Sequence, residues 1–122
     1  MTNAGVVLFS PANTSEAFTD YDDNGLYFRT APSDYLQGQV LAEQVLANGQ
    51  LTASVIYRQE PYGEGLANRF RDVYTAAGGE VKAFIAYPPE GMTNFDAEVG
   101  QLVDADADAI ITITFDEGSI LF

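Results

Sequence analysis

The chain has 122 residues, 47% apolar and 12% aromatic, which suits one compact domain burying roughly two-thirds of its unfolded surface and excludes a disordered tail. Its 18 acidic and 5 basic residues give a net charge of −13, so no basic stripe exists for nucleic acid or anionic lipid. Cysteine and histidine are absent, which removes disulfides, thiolate and imidazole metal sites, and every Ser-His-Asp or Cys-His arrangement.

No run approaches the roughly 20 apolar residues of a membrane span. Met1-Thr2-Asn3 lacks the basic start and apolar core of a signal peptide. A signal is therefore not expected within this chain, and a strand starting near residue 5 suggests a piece of a longer one.

Gly5-Val6-Val7-Leu8-Phe9 runs into Ser10-Pro11, the pattern of a strand buried on both faces and stopped by proline. A polar loop follows, with one helical turn within residues 14–19, and then Leu26-Tyr27-Phe28 as a second extended piece. Asp34 with Gln37 three residues on resembles a capping box, and the helix it opens carries the pairs Leu36/Val40 and Leu41/Val45 before Asn48-Gly49 stops it. Residues 53–57 read as a strand. A helix over 64–77 places Leu66, Phe70, Val73, Tyr74 and Ala77 on one face, and Gly78-Gly79 ends it. Residues 81–85 form the next strand. Thr93 or Asn94 caps a third helix, whose Phe95, Val99, Leu102 and Val103 repeat the helical spacing, and 109–113 is a final buried strand. Residues 118–122 read as the opening turn of a further helix, so the sheet is expected to be incomplete.

The order β, β, α, β, α, β, α, β with continuous apolar runs implies an α/β fold. It is a doubly wound, Rossmann-like parallel sheet with helices on both faces. Ligands of such sheets sit beyond the carboxyl ends of the strands. The loops beginning at Ser10, Arg58, Ala86 and Thr114 are therefore the ones that matter.

Several chemical motifs fail on their details. Asp20-x-Asp22-x-Asn24-Gly25 copies half a calcium loop, but Ala31 stands where a bidentate glutamate is needed. It reads as a solvated hinge loop. Gly63-Glu64-Gly65 completes neither phosphate-loop pattern. Asp104, Asp106 and Asp108 alternate in the link into a strand, where solvated residues are expected. A receiver domain would need a lysine after its last strands, and Lys82 lies within a strand. No catalytic set, metal or cofactor is expected, because a flavodoxin-like or hydrolase enzyme would require a cofactor loop or a nucleophile elbow.

Three patterns occur in order: Ser10-Pro11-Ala12-Asn13-Thr14-Ser15, Phe28-Arg29-Thr30-Ala31-Pro32-Ser33-Asp34, and Tyr62-Gly63-Glu64-Gly65-Leu66-Ala67. With Gly78-Gly79-Glu80-Val81, Thr93-Asn94-Phe95-Asp96 and Asp106-Ala107-Asp108-Ala109, the chain resembles the type I periplasmic solute-binding proteins of branched-chain amino acid ABC transporters. The resemblance implies two lobes that close on a ligand and deliver it to a membrane permease. Residues 1–20 would end the first lobe, 21–30 cross the hinge and 31–122 form part of the second.

The implied function is extracytoplasmic binding of a branched-chain amino acid or a similar small carboxylate or amide, in the periplasm or as a cell-surface lipoprotein. A ligand-sensing domain of a signalling receptor, built on the same lobes, is the alternative. By the resemblance, Ser10, Ala12, Asn13 and Thr14 offer backbone groups and a hydroxyl to the ligand's carboxylate and ammonium. Tyr62 faces the cleft from the second lobe. Phe115 stands where family members often carry tyrosine, and it packs without donating a hydrogen bond. Plainer roles are a surface aromatic for Tyr62 and an N-cap for Thr14. An incomplete sheet leaves apolar surface and a strand edge open, so self-association of this chain is expected.

Overall fold

The structure is a computed structural model and describes residues 1–121. Its elements run β1 (Leu8–Ser10), β2 (Tyr27–Arg29), α1 (Asp34–Ala47), β3 (Thr52–Arg58), α2 (Pro61–Ala76), β4 (Glu80–Tyr87), α3 (Asp96–Ala105) and β5 (Ala109–Ile113). Short 3-10 turns lie at Thr2–Ala4, Glu16–Phe18 and Asp116–Leu121. The last of these falls where a further helix was expected, and Phe122 lies outside the described residues.

Two parallel sheets result: a ribbon of β1 and β2, and a sheet in the order β4-β3-β5. The central strand β3 has neighbours on both edges and helices on both faces, so Ala53, Ser54, Val55 and Ile56 are all buried. Its side chains alternate between two cores. Ala53 and Val55 pack with Leu66, Ala67, Phe70 and Tyr74 of α2 and with Ala42 and Val45 of α1. Ile56 packs on the other face with Ile85, Tyr87, Phe95 and Leu102, under α3.

Helix α1 departs from its expected face. Leu36 and Val40 are 51% and 53% exposed, while Asp34, Gly38, Ala42 and Val45 are buried. Small residues set this interface: a Cβ on Gly38 would stand 2.9 Å from Cβ of Arg69, so α1 and α2 approach too closely for larger side chains there. The cap differs by one residue, because the Ser33 hydroxyl, not Asp34, accepts from the Leu36 N–H. Helix α2 starts three residues early, with Glu60 as N-cap accepting from the Gly63 N–H and Pro61 in the first turn, where a missing N–H costs nothing. Helix α3 starts at Asp96 with Phe95 as its N-cap, and Val103 turns outward.

The expected two-sided burial of the first strand also fails. Phe9 is 67% exposed and Phe28, its register partner on β2, is 50% exposed. With two strands and, among the described residues, no layer over that side, the ribbon covers only its other face, where Tyr27 stacks on Phe18 at 5.2 Å.

Candidate functional site

Strands β3 and β5 are adjacent and parallel, so the segments leaving their carboxyl ends emerge side by side. Tyr62, in the first turn of α2, and Phe115, just past β5, meet with ring centroids 5.5 Å apart and an interplanar angle of 45°. The loop after β1 faces them. Together they enclose a cavity of about 470 Å³ lined by Ala12, Asn13, Thr14, Ser15, Phe18, Gln37, Tyr62 and Phe115. Five of the six site residues singled out in the sequence thus share one cavity.

Ser10 does not line the cavity. Its hydroxyl accepts from the N–H groups of Ala12 (3.3 Å) and Asn13 (2.9 Å). Those two amides, expected to be free for a carboxylate, are therefore already engaged, and Ser10 shapes the loop from behind. The polar groups left on this wall are the Asn13 side chain and the Thr14 and Ser15 hydroxyls. Sequence reasoning missed Ser15, Phe18 and Gln37. Gln37 lies on the first turn of α1, next to the strand ends, and its place there was legible only as a capping residue.

Two further carboxylates stand around the cavity. Asp34 is buried at the start of α1 beside the Thr14 hydroxyl. Burial pushes its pKa up against the pull of the nearby Thr14 hydroxyl and Arg29, while Glu60 and Glu16 add to the rise. Burial also raises the Tyr62 phenol, helped by Asp34 and Glu60. Behind Phe115, the Arg58 guanidinium lies 5.0 Å from the ring centroid and pairs with Glu117 at 3.1 Å. The Tyr87 hydroxyl donates to the same Glu117 oxygen at 2.9 Å. Burial works to raise the Glu117 carboxyl, but its own backbone N–H, Tyr87 and Arg58 together hold it below the ordinary range.

None of the residues lining the cavity is charged. Short amide and hydroxyl groups line it together with three aromatic rings, a mixture of polar and apolar surface common in small-molecule pockets. Among the described residues, no group of three or more acidic side chains is placed to hold a metal ion, and no helix is long and apolar enough to cross a membrane.

The sequence pattern of the periplasmic binding protein family matches residues 1–122. The chain belongs to that family, and its parallel α/β architecture is that of the type I fold. A substrate-binding protein of an ABC transporter from Desulfitobacterium hafniense, solved in complex with leucine, is 28% identical with a TM-score of 0.77, over 97% of this chain and 35% of that one. A leucine-binding protein from Thermotoga maritima is 26% identical with a TM-score of 0.76, over 87% of this chain and 30% of that one. A solute-binding protein of Rhodopseudomonas palustris, solved with 4-hydroxybenzoate, shares the fold at 18% identity with a TM-score of 0.84, over 93% of this chain and 30% of that one. The chain spans about a third of the length of these structures. No curated protein matches it.

Proposed function

We propose that the chain supplies ligand-binding surface to the extracytoplasmic solute receptor of an ABC transporter, holding a branched-chain amino acid or a similar small carboxylate for a membrane permease. One observation carries this reading: Thr14 from the loop after β1 and Tyr62 and Phe115 from the strand ends converge on a single uncharged cavity. The leucine complex of the 28% identical relative supports it. Residues 1–20 then act as the end of a first lobe, 21–30 as the hinge crossing and 31–122 as part of a second lobe. The role is binding and not catalysis. A second reading, an aromatic carboxylate, is favoured by the three rings of Phe18, Tyr62 and Phe115 on the cavity wall. The uncovered face of the β1–β2 ribbon serves self-association.

Amide-resolved NMR titration of the chain with millimolar leucine and, separately, 4-hydroxybenzoate tests this. Saturable shifts at Asn13, Thr14, Ser15 and Tyr62 are expected with at least one probe, and the better probe chooses between the two readings. No response to either, or a response confined to residues outside this cavity, overturns the assignment.

A further inference from the structure

Residues 11–15 form neither helix nor strand, so bonds from elsewhere must fix the shape of this cavity wall. Arg29, at the end of β2, is outside the cavity yet supplies two of them and a third to Thr19 just beyond. Its Nη1 donates to the carbonyls of Thr14 (3.2 Å) and Ser15 (2.8 Å), and its Nη2 donates to the Thr19 hydroxyl at 2.7 Å. The Thr14 carbonyl also accepts from the Asp34 N–H at 2.9 Å, which ties the same peptide to the first turn of α1.

We infer that Arg29 is a positioning residue of the ligand site, holding the loop of residues 14–19 so that Thr14 meets the ligand in one fixed orientation. The inference rests on reading the cavity as a ligand site. Both lone pairs of the Thr14 carbonyl are filled, by Arg29 from β2 and by Asp34 from α1, so its peptide plane is held from two elements. The bonds from the guanidinium are charge-assisted, roughly twice as strong as neutral ones. A planar fork reaches three acceptors at once, which the single nitrogen of lysine does not reproduce. Order imposed on the loop by folding is order that ligand binding no longer has to impose.

The test is the titration, with whichever of leucine and 4-hydroxybenzoate the wild type binds better, repeated on Arg29→Gln, Arg29→Lys and Thr19→Val. For Arg29→Gln, apparent affinity should fall about tenfold, with the Asn13 to Ser15 amide shifts collapsing while Tyr62 still responds at higher probe concentration. Arg29→Lys should recover the affinity only in part, since it restores charge without the fork. Thr19→Val, which deletes one arm and leaves the arginine, should weaken binding about two- to threefold and decides the matter if Arg29→Gln does not fold. Wild-type affinity and loop shifts in Arg29→Gln overturn the inference, as do complete recovery in Arg29→Lys or an unchanged Thr19→Val. Simultaneous loss of the Tyr62 response in a folded Arg29→Gln also overturns it. A wild-type chain that responds to neither leucine nor 4-hydroxybenzoate removes the ligand reading itself, and is distinguished from these outcomes by that fact.

Discussion

Tyr62 and Phe115 touch, with ring centroids 5.5 Å apart, because each leaves the carboxyl end of one of two adjacent parallel strands. Phe115 is 53% exposed, so its ring contributes more to the cavity wall than to the core. Phe115→Ala is expected to cost roughly 1.5–2.5 kcal/mol of stability, about half of a full phenylalanine burial plus the aromatic pair, while abolishing the saturable response of Tyr62 to a cavity ligand. Urea denaturation beside the NMR titration separates the two effects. A large stability loss would place Phe115 in the core after all.

Gly63 and Gly65 stand two residues apart in α2 and make opposite predictions. A Cβ on Gly63 would fall 2.0 Å from the Arg58 carbonyl oxygen, whereas nothing lies within 4 Å of one on Gly65. Gly63→Ala must push the start of α2 off the end of β3, and an expected loss of about 1–3 kcal/mol follows from such overpacking. The displacement also carries Tyr62 away from Phe115. Gly65→Ala, in an open helical position, should gain about 0.5–1 kcal/mol. Equal effects of the two substitutions, measured by thermal or urea unfolding, would contradict the close approach.

The same glycine shows where sequence reading stopped. Continuous apolar runs, helical spacing and glycine stops were enough to place β3, α2, β4, α3 and β5 in order, because strands buried on both faces and a helix ended by Gly78-Gly79 leave strong local marks. The loops that carry Thr14, Tyr62 and Phe115 followed from the strand order, and the choice of those residues within them from the family resemblance. Helix α2 was expected to begin at Glu64, because the start signal at Glu60-Pro61 lies before the apolar stripe. The exposure of Leu36 and Val40 was illegible, since helical spacing does not reveal that Gly38 and Ala42 make the tight contact. The engagement of the Ala12 and Asn13 amides by Ser10 depends on loop conformation, which residue types alone do not fix.

Stability should respond to pH in opposite senses at Asp34 and Asp108. The folded pKa of Asp34 is raised above 3.8, so the native state holds that proton more tightly than the unfolded chain does. The associated stability is fully present below 3.8 and is lost as pH rises through the folded value. Asp34 faces Arg29 on β2, Glu16 in the 3-10 turn, Glu60 at the cap of α2 and the Thr14 hydroxyl, and burial outweighs the favourable partners among them. Asp108 accepts from the N–H groups of Leu51 (3.0 Å) and Thr52 (2.9 Å). These bonds lower its pKa, so its contribution is present above 3.8 and fades as pH falls through the folded value. Asp34→Asn should therefore gain on the wild type between pH 4 and pH 7, and Asp108→Asn should lose ground over the same interval. Urea midpoints across that range check both signs.

The uncovered ribbon face and the charge of the chain oppose one another. Phe9 and Phe28 sit side by side as register partners on β1 and β2, both exposed, and apolar surface on an open ribbon favours association. A net charge of −13 repels a second copy, and that repulsion reaches about 30 Å at 0.01 M salt but only about 3 Å at 1 M. Sedimentation velocity should accordingly show more association at high salt than at low salt, the reverse of an assembly held by ion pairs. Phe9→Glu should suppress the high-salt species, because it places a charge in the centre of the patch. If the chain stays monomeric at high salt and high concentration, or if Phe9→Glu associates as the wild type does, the ribbon face is not the contact.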